Sequence, residues 1–331
     1  MGGNDATTAQ IRSHLAALTR WPGGRPVGSP ANLAAEAYIA GVLRAAGYEV
    51  EQQAFDCVDW RLDGVDLWVG DGPLPVMANP YSPPGGVTAP LAAAATLAEL
   101  EAAELRGRIA LLHGALSVEP LFPRNYPFFT VPEHQRVLEL LEQKGARAVI
   151  AVSPMSANPA PIIEDGDFTL PSVTVGADVG AVLLMAERAA VTLRLRSVAQ
   201  PGRAANVIGR RTHLSHDKLV LCAHFDTKPG TPGALDNAAG VATVLALAQR
   251  LAADPPANLE FVFFNGEDHY AAPGEVVYLS GSGGEFGRIA LVVNIDGVGL
   301  SGAGTTVAFF NCPDAWADAA RATLHRRSNV T

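Results

Sequence analysis

The sequence predicts an α/β fold: a mixed, mostly parallel sheet flanked by helices, with a β-rich α/β domain inserted into it. Three observations carry this. Apolar runs at residues 219–223, 261–264 and 289–295 read as buried strands, and each ends abruptly in histidine or acidic residues. Between the first two runs, residues 237–251 read as a helix with Val241, Val244, Leu245, Ala248 and Leu251 at helical spacing, as a connection between parallel strands requires. From 57 to 200 the chain changes character, with short strands and dense Pro/Gly turns at 80–86 and 158–161. We therefore divide the chain into 1–56 with 201–331, and an insert at 57–200.

The elements follow in order. Ile11, Leu15 and Leu18 have helical spacing. Residues 21–30 are rich in Gly and Pro and read as a loop. Residues 32–46 read as a second helix with Leu33, Ala37, Ile39 or Ala40, and Leu43 on one face, closed by Gly47. Residues 48–55 read as a strand. In the insert, 109–112, 148–152, 171–175 and 191–195 read as strands, and 133–143 as a helix carrying Val137, Leu138, Leu140 and Leu141. His113 and His134 stand alone there and read as surface or packing residues.

The strand ends hold the chemistry. The first run delivers His224 and Asp226, then a Gly/Pro-rich loop leads to Asp236. The second delivers Glu267 and Asp268, and the third delivers Asp296. In open α/β sheets that edge is where ligands collect. Imidazole with several carboxylates suits zinc or a similar divalent ion. One further carboxylate can act as general base on water.

These residues stand in H-x-D at His224–Asp226, G-x-x-D-N-x-x-G from Gly233 to Gly240, the acidic pair Glu267 and Asp268, and N-x-D-x-x-G from Asn294 to Gly299. In order and spacing they resemble the co-catalytic zinc aminopeptidase family that includes aminopeptidase S, glutamate carboxypeptidase and glutaminyl cyclase. The resemblance implies a zinc exopeptidase-like fold and two zinc ions. It implies that His224 and Asp296 hold one metal, Asp268 the other, and that Asp236 bridges them. Glu267 would be the base, and Asp226 would orient His224. Asp268 departs from the family's usual second glutamate. Arg25, Gly28, Ser29 and Asn32 match the family's opening R-x-x-G-S-x-x-N. The insert resembles a protease-associated domain, from G-R-I-A-L-L at 107–112, K-G-A-R-A-V-I at 144–150 and P-S-V-T-V at 171–175.

The implied function is metal-dependent hydrolysis of N-terminal residues from peptides. The rivals are a non-catalytic peptidase-fold binding module and a single-zinc cyclotransferase. Bulk properties narrow the partners. A net charge of −9 disfavours nucleic acid and anionic membrane. No apolar run is long enough to span a bilayer, and residues 1–10 lack a signal-peptide core, so we expect a cytoplasmic protein. Three scattered cysteines offer no disulfide framework, and Cys222 reads as a core residue. The oligomeric state is not readable.

Three decoys sit nearby. Gly297, Gly299 and Gly302 spell G-x-G-x-x-G, but the β-like run 305–310 follows where a dinucleotide site needs a helix. His269 adjoins the acidic pair, yet neighbours on an extended chain point to opposite sides. The run from His269 to Glu275 reads as a loop. The resemblance also calls for a histidine ligand well beyond Asp296, and only His325 follows. It lies in the helical run 313–327 beside Arg326 and Arg327, where a cationic helix C-terminus explains it better. We therefore expect a C-terminally truncated chain whose metal at Asp268 lacks a nitrogen ligand.

Overall fold

A computed structural model describes residues 2–186, 189–210, 217–254, 258–281 and 285–324. The chain divides into two compact units. The first holds described residues of 1–57, 203–269 and 273–331, and the second holds 58–202 with Tyr270–Ala272. The chain leaves the first unit inside strand Glu49–Val69 and returns to it inside strand Ala190–Arg210.

In the first unit, strands Ile289–Asn294, Lys218–His224 and Leu259–Phe264 lie side by side and parallel. Residues 207–210 add an antiparallel neighbour to Leu259–Phe264. Side chains alternate with the two-residue period of a strand. Leu219, Leu221, Ala223, Leu259, Phe261 and Phe263 face a core built with Leu18, Ile39, Leu43, Val244 and Leu245. These last come from helices Gly2–Leu18, Pro30–Ala45 and Ala239–Leu251. Val220, Cys222 and Val262 face the other way, onto Tyr278. Glu260 is buried on that side as well, and is neutralised by Lys218 at 3.0 Å with a hydrogen bond donated by the Tyr278 hydroxyl at 2.8 Å.

Helix Pro30–Ala45 begins where its sequence says it should. Ser29 accepts a hydrogen bond from the Asn32 amide at 3.2 Å, and Pro30 occupies the first turn, where no amide is needed. The Tyr48 hydroxyl donates to Ala248 O at 2.9 Å, and His14 pairs with Tyr38 and Gln249. The two His14 bonds knit the three helices together, the longer of them across 235 residues of sequence.

In the second unit, Gly85–Ala94, Ile109–Leu112, Ala148–Val152 and Ser172–Val175 pair in parallel, in that order. Residues 190–195 and Met77–Ala78 close its two edges antiparallel. Helices Leu97–Ala102 and Pro132–Gln143 supply one core, and Ala177–Met185 contributes Val179 and Leu183 to another.

Several expectations need correction. The strand expected at 48–55 runs on to Val69, and that expected at 191–195 runs on to Arg210. Both continue through charged positions because a partly exposed strand tolerates polar residues on its open face. The helix after Asp236 starts at Ala239, because Asp236 and Asn237 have non-helical backbone angles. Residues 305–310 form no strand beyond a bridge at Thr305, and Pro273–Gly281 is a helix rather than loop. The run 289–295 is not a buried strand. Among the described residues, Ile289–Asn294 pairs with one strand and stands at the sheet's edge, and Val292 is 51% exposed.

Candidate metal centre

The three parallel strands end at one place, and their registers explain it. Phe264 lies opposite His224, and Asn294 lies opposite Cys222. Each strand therefore releases its polar residues at the same level. His224 is buried, with Nε2 at 2.9 Å from Asp236 Oδ1, 3.7 Å from Asp296 Oδ2 and 3.9 Å from Glu267 Oε2. Potential ligand atoms of His224, Asp236 and Asp296 all lie within 4.8 Å of one another. So do those of His224, Glu267 and Asp268. Every sequence-expected site residue is thus in one cluster, and both groups lie in the first unit. His269 is buried but belongs to neither group among the described residues. His325 lies outside the described residues.

Asp226 holds two parts of the cluster at once. Its Oδ1 is 3.5 Å from His224 Nδ1, and its two oxygens accept the backbone amides of Glu267 at 3.2 Å and Asp268 at 3.0 Å. Asp226 therefore fixes the turn that carries the acidic pair, while its charge faces the imidazole. The loop carrying Asp236 is fixed by Asn237. Its side chain donates to Ile295 O at 2.9 Å and accepts from the Gly240 amide at 3.0 Å. A Cβ at Gly240 would lie 2.2 Å from Ile295 O, so only glycine lets the helix start come this close to the third strand.

Two supports of the cluster lie outside its ligand motifs. Arg25 is fully buried. Its guanidinium donates to the carbonyls of Leu18 (2.6 Å), Phe225 (2.9 Å), Pro232 (2.8 Å) and Gly233 (3.3 Å). Burial lowers its pKa to about 10, against the pull of Asp226, Asp268 and Asp236. It stays charged at neutral pH beneath the carboxylates. The second support is a run of buried asparagines. Asn32 and Asn265 exchange two amide hydrogen bonds, at 2.8 and 2.9 Å, and Asn206 accepts from the Asn265 backbone amide at 3.0 Å. The signal for both was the R-x-x-G-S-x-x-N opening, whose Arg25 and Asn32 reach the strand ends.

The electrostatics fit a cation. Burial pushes the Asp268 carboxyl up to about 8, and Asp226 and Asp236 push further in the same direction against His224. Glu267 is raised first by burial and then by its acidic neighbours, again with His224 opposing. Burial disfavours a charged His224, yet Asp226, Asp236 and Asp296 outweigh it and raise its pKa. Asp236 is lowered, chiefly by its bond to His224. Repelling carboxylates crowded around a buried imidazole make a donor set suited to a divalent metal.

Residues 206–329 match the model of Peptidase family M28. The chain is 26% identical over 284 residues to the probable lipoprotein aminopeptidase LpqL of Mycobacterium tuberculosis, covering 80% of this chain and 54% of that one. It is 27% identical over 310 residues to aminopeptidase YwaD of Bacillus subtilis, covering 87% of this chain and 61% of that one. The chain thus spans little more than half the length of these curated relatives. Its fold matches that of BSAP, a zinc aminopeptidase from Bacillus subtilis, with a TM-score of 0.77 at 24% identity, over 97% of this chain and 78% of that one. Residues 206–329, which carry His224, Asp226, Asp236, Glu267, Asp268 and Asp296, are thus similar to Peptidase family M28.

Proposed function

We propose that this chain supplies the catalytic centre of a metal-dependent aminopeptidase that removes N-terminal residues from peptides. The observation that carries the reading is the pair of ligand groups meeting at His224 on three parallel strand ends. The family match over 206–329 and the aminopeptidase relatives support it.

The residues that would hold zinc are His224 with Asp296, and Asp268, with Asp236 shared between two ions. Zinc bound there supplies Lewis acidity, polarising the scissile carbonyl and lowering the pKa of water. The chain's own residues do the rest. Glu267, raised by burial, is suited to take a proton from water and hand it to the leaving amine. Asp226 keeps Glu267 and Asp268 on their bearing through the two backbone amides. A free, protonated substrate amino terminus would meet the carboxylates around the site. The second unit supplies no ligand in this reading, and we propose that it is a protease-associated-like insert. Among the described residues, no helix is long and apolar enough to cross a membrane.

The test is metal content by elemental analysis, paired with hydrolysis of a panel of aminoacyl substrates. A chain that takes up no divalent metal would sink the proposal. The roles separate further by substitution. Asp236→Ala is expected to abolish stoichiometric metal binding. Asp226→Ala is expected to cost roughly 10–100-fold in affinity or activity, as for a residue acting behind the ligands. Equal metal affinities in the two variants, measured by titration against a chelator, would show the shells to be misassigned.

A further inference from the structure

The acidic pair sits on an excursion of the chain between strand Leu259–Phe264 and helix Pro273–Gly281. Its base is fixed in the first unit. The Asn265 amide donates to Asn206 Oδ1 at 3.0 Å, and Asn206 Nδ2 donates to Gly274 O at 2.8 Å, so one side chain clamps both ends. Along its rising arm, Glu267 and Asp268 give their amides to Asp226, and the His269 amide donates to Gly266 O at 3.2 Å. Its apex, Tyr270–Ala272, belongs to the second unit.

That apex is built in rather than draped. The Tyr270 ring meets Tyr81 edge-on, with centroids 4.9 Å apart. It packs against the core that contains Trp60, Tyr81 and Leu195. Gly166 lies flush against the same ring, so that a Cβ there would fall 2.2 Å from Tyr270 Cε1. Ala272 is held at φ +39°, a left-handed angle that a non-glycine residue adopts only when its surroundings impose it. Only two residue steps separate Asp268 from Tyr270, and they span at most about 7 Å of chain. Wherever the second unit holds Tyr270, Asp268 must stay within that reach and Glu267 within about 11 Å.

We infer that Tyr270 is a positioning residue: its ring, seated against Tyr81 and Gly166, tethers the apex of the excursion, so that the short covalent link limits how far Glu267 and Asp268 can stray. The insert thereby serves the catalytic centre through the covalent chain, without donating a ligand. The kinetic side of this rests on the peptidase reading, and the structural side does not.

The experiment compares Tyr270→Ala, which removes the ring, and Gly166→Ala, which displaces it from a position remote in sequence. Tyr270→Phe keeps the ring. Leu138→Ala is the control, because it damages the second unit's other core. Amide exchange at Glu267 and Asp268 is followed in metal-free protein, and kcat and KM in metal-loaded protein. Both ring-disturbing variants are expected to exchange those two amides at least about tenfold faster and to lose roughly 10–100-fold in kcat with little change in KM, as misplaced catalytic groups do. Tyr270→Phe should restore both readouts, and Leu138→Ala should disturb neither. Unchanged exchange in both Tyr270→Ala and Gly166→Ala would overturn the tether, as would equal acceleration in Leu138→Ala. If exchange quickens as expected while the parent hydrolyses no peptide, the tether stands and the peptidase reading falls.

Discussion

Glu267→Gln is expected to lower kcat by roughly 10²–10⁴-fold, the usual worth of a general base, while metal content stays at the parent level. The substitution keeps the side chain's size and removes only its basicity. The backbone amide of Glu267 still bonds Asp226, so the turn should survive. Burial and the surrounding carboxylates raise this carboxyl toward the range where a base works best near neutral pH. Glu267 also falls in a possible ligand group with His224 and Asp268, which makes metal content the decisive companion measurement. Loss of metal in step with activity would make Glu267 a ligand and not the base. Parent-level hydrolysis would remove it from both roles.

The second large effect is on stability. Arg25→Met is expected to destabilise the first unit by roughly 3–5 kcal/mol, the cost of breaking a buried charge arrangement by deleting one member. Four backbone carbonyls from three separate segments converge on this guanidinium, and methionine can satisfy none of them. The carboxylates above it would also lose their buried counter-charge. Arg25→Lys should fall between, because an ammonium keeps the charge but not the planar fork. Urea unfolding followed by a probe in the first unit measures this. A loss under about 1 kcal/mol would mean that the site's electrostatics are balanced elsewhere.

The site was legible because strand chemistry is local. An apolar run of Val, Leu and Phe that stops at His224 or Glu267 declares both the strand and its working end. Regular spacing likewise exposed the helix of Val241, Val244, Leu245 and Ala248, although the motif residue Asn237 held its start back to Ala239. What escaped was long-range. Arg25 and Asn32 look like loop polar groups until Phe225 and Asn265 are folded onto them. The continuation of Glu49–Val69 past Phe55 escaped because Asp56, Asp59, Arg61 and Asp63 interrupt the apolar alternation on an open face. The helix at Pro273–Gly281 escaped because Pro273 and Gly274 read as turn residues, although proline is well suited to a helix's first turn. The run 289–295 is as apolar as its neighbours, and composition alone does not say which strand of a sheet will stand at the edge.

The division of the chain also bears on how it is made. The first unit's opening 57 residues are separated from the rest of it by residues 58–202, a stretch of 202 − 58 + 1 = 145 residues. At about 5–20 residues per second, a ribosome spends roughly 7–30 s on that stretch. Throughout that interval Ile39 and Leu43 have no Val244 or Phe261 to bury against, Tyr48 has no Ala248 carbonyl, and Arg25 has no Phe225. Residues 58–202, by contrast, leave the ribosome nearly complete, lacking only the short piece that carries Tyr270. The nascent chain must therefore keep the apolar faces of residues 1–57 waiting while 58–202 folds, which makes those helices the natural landing place for a holdase chaperone.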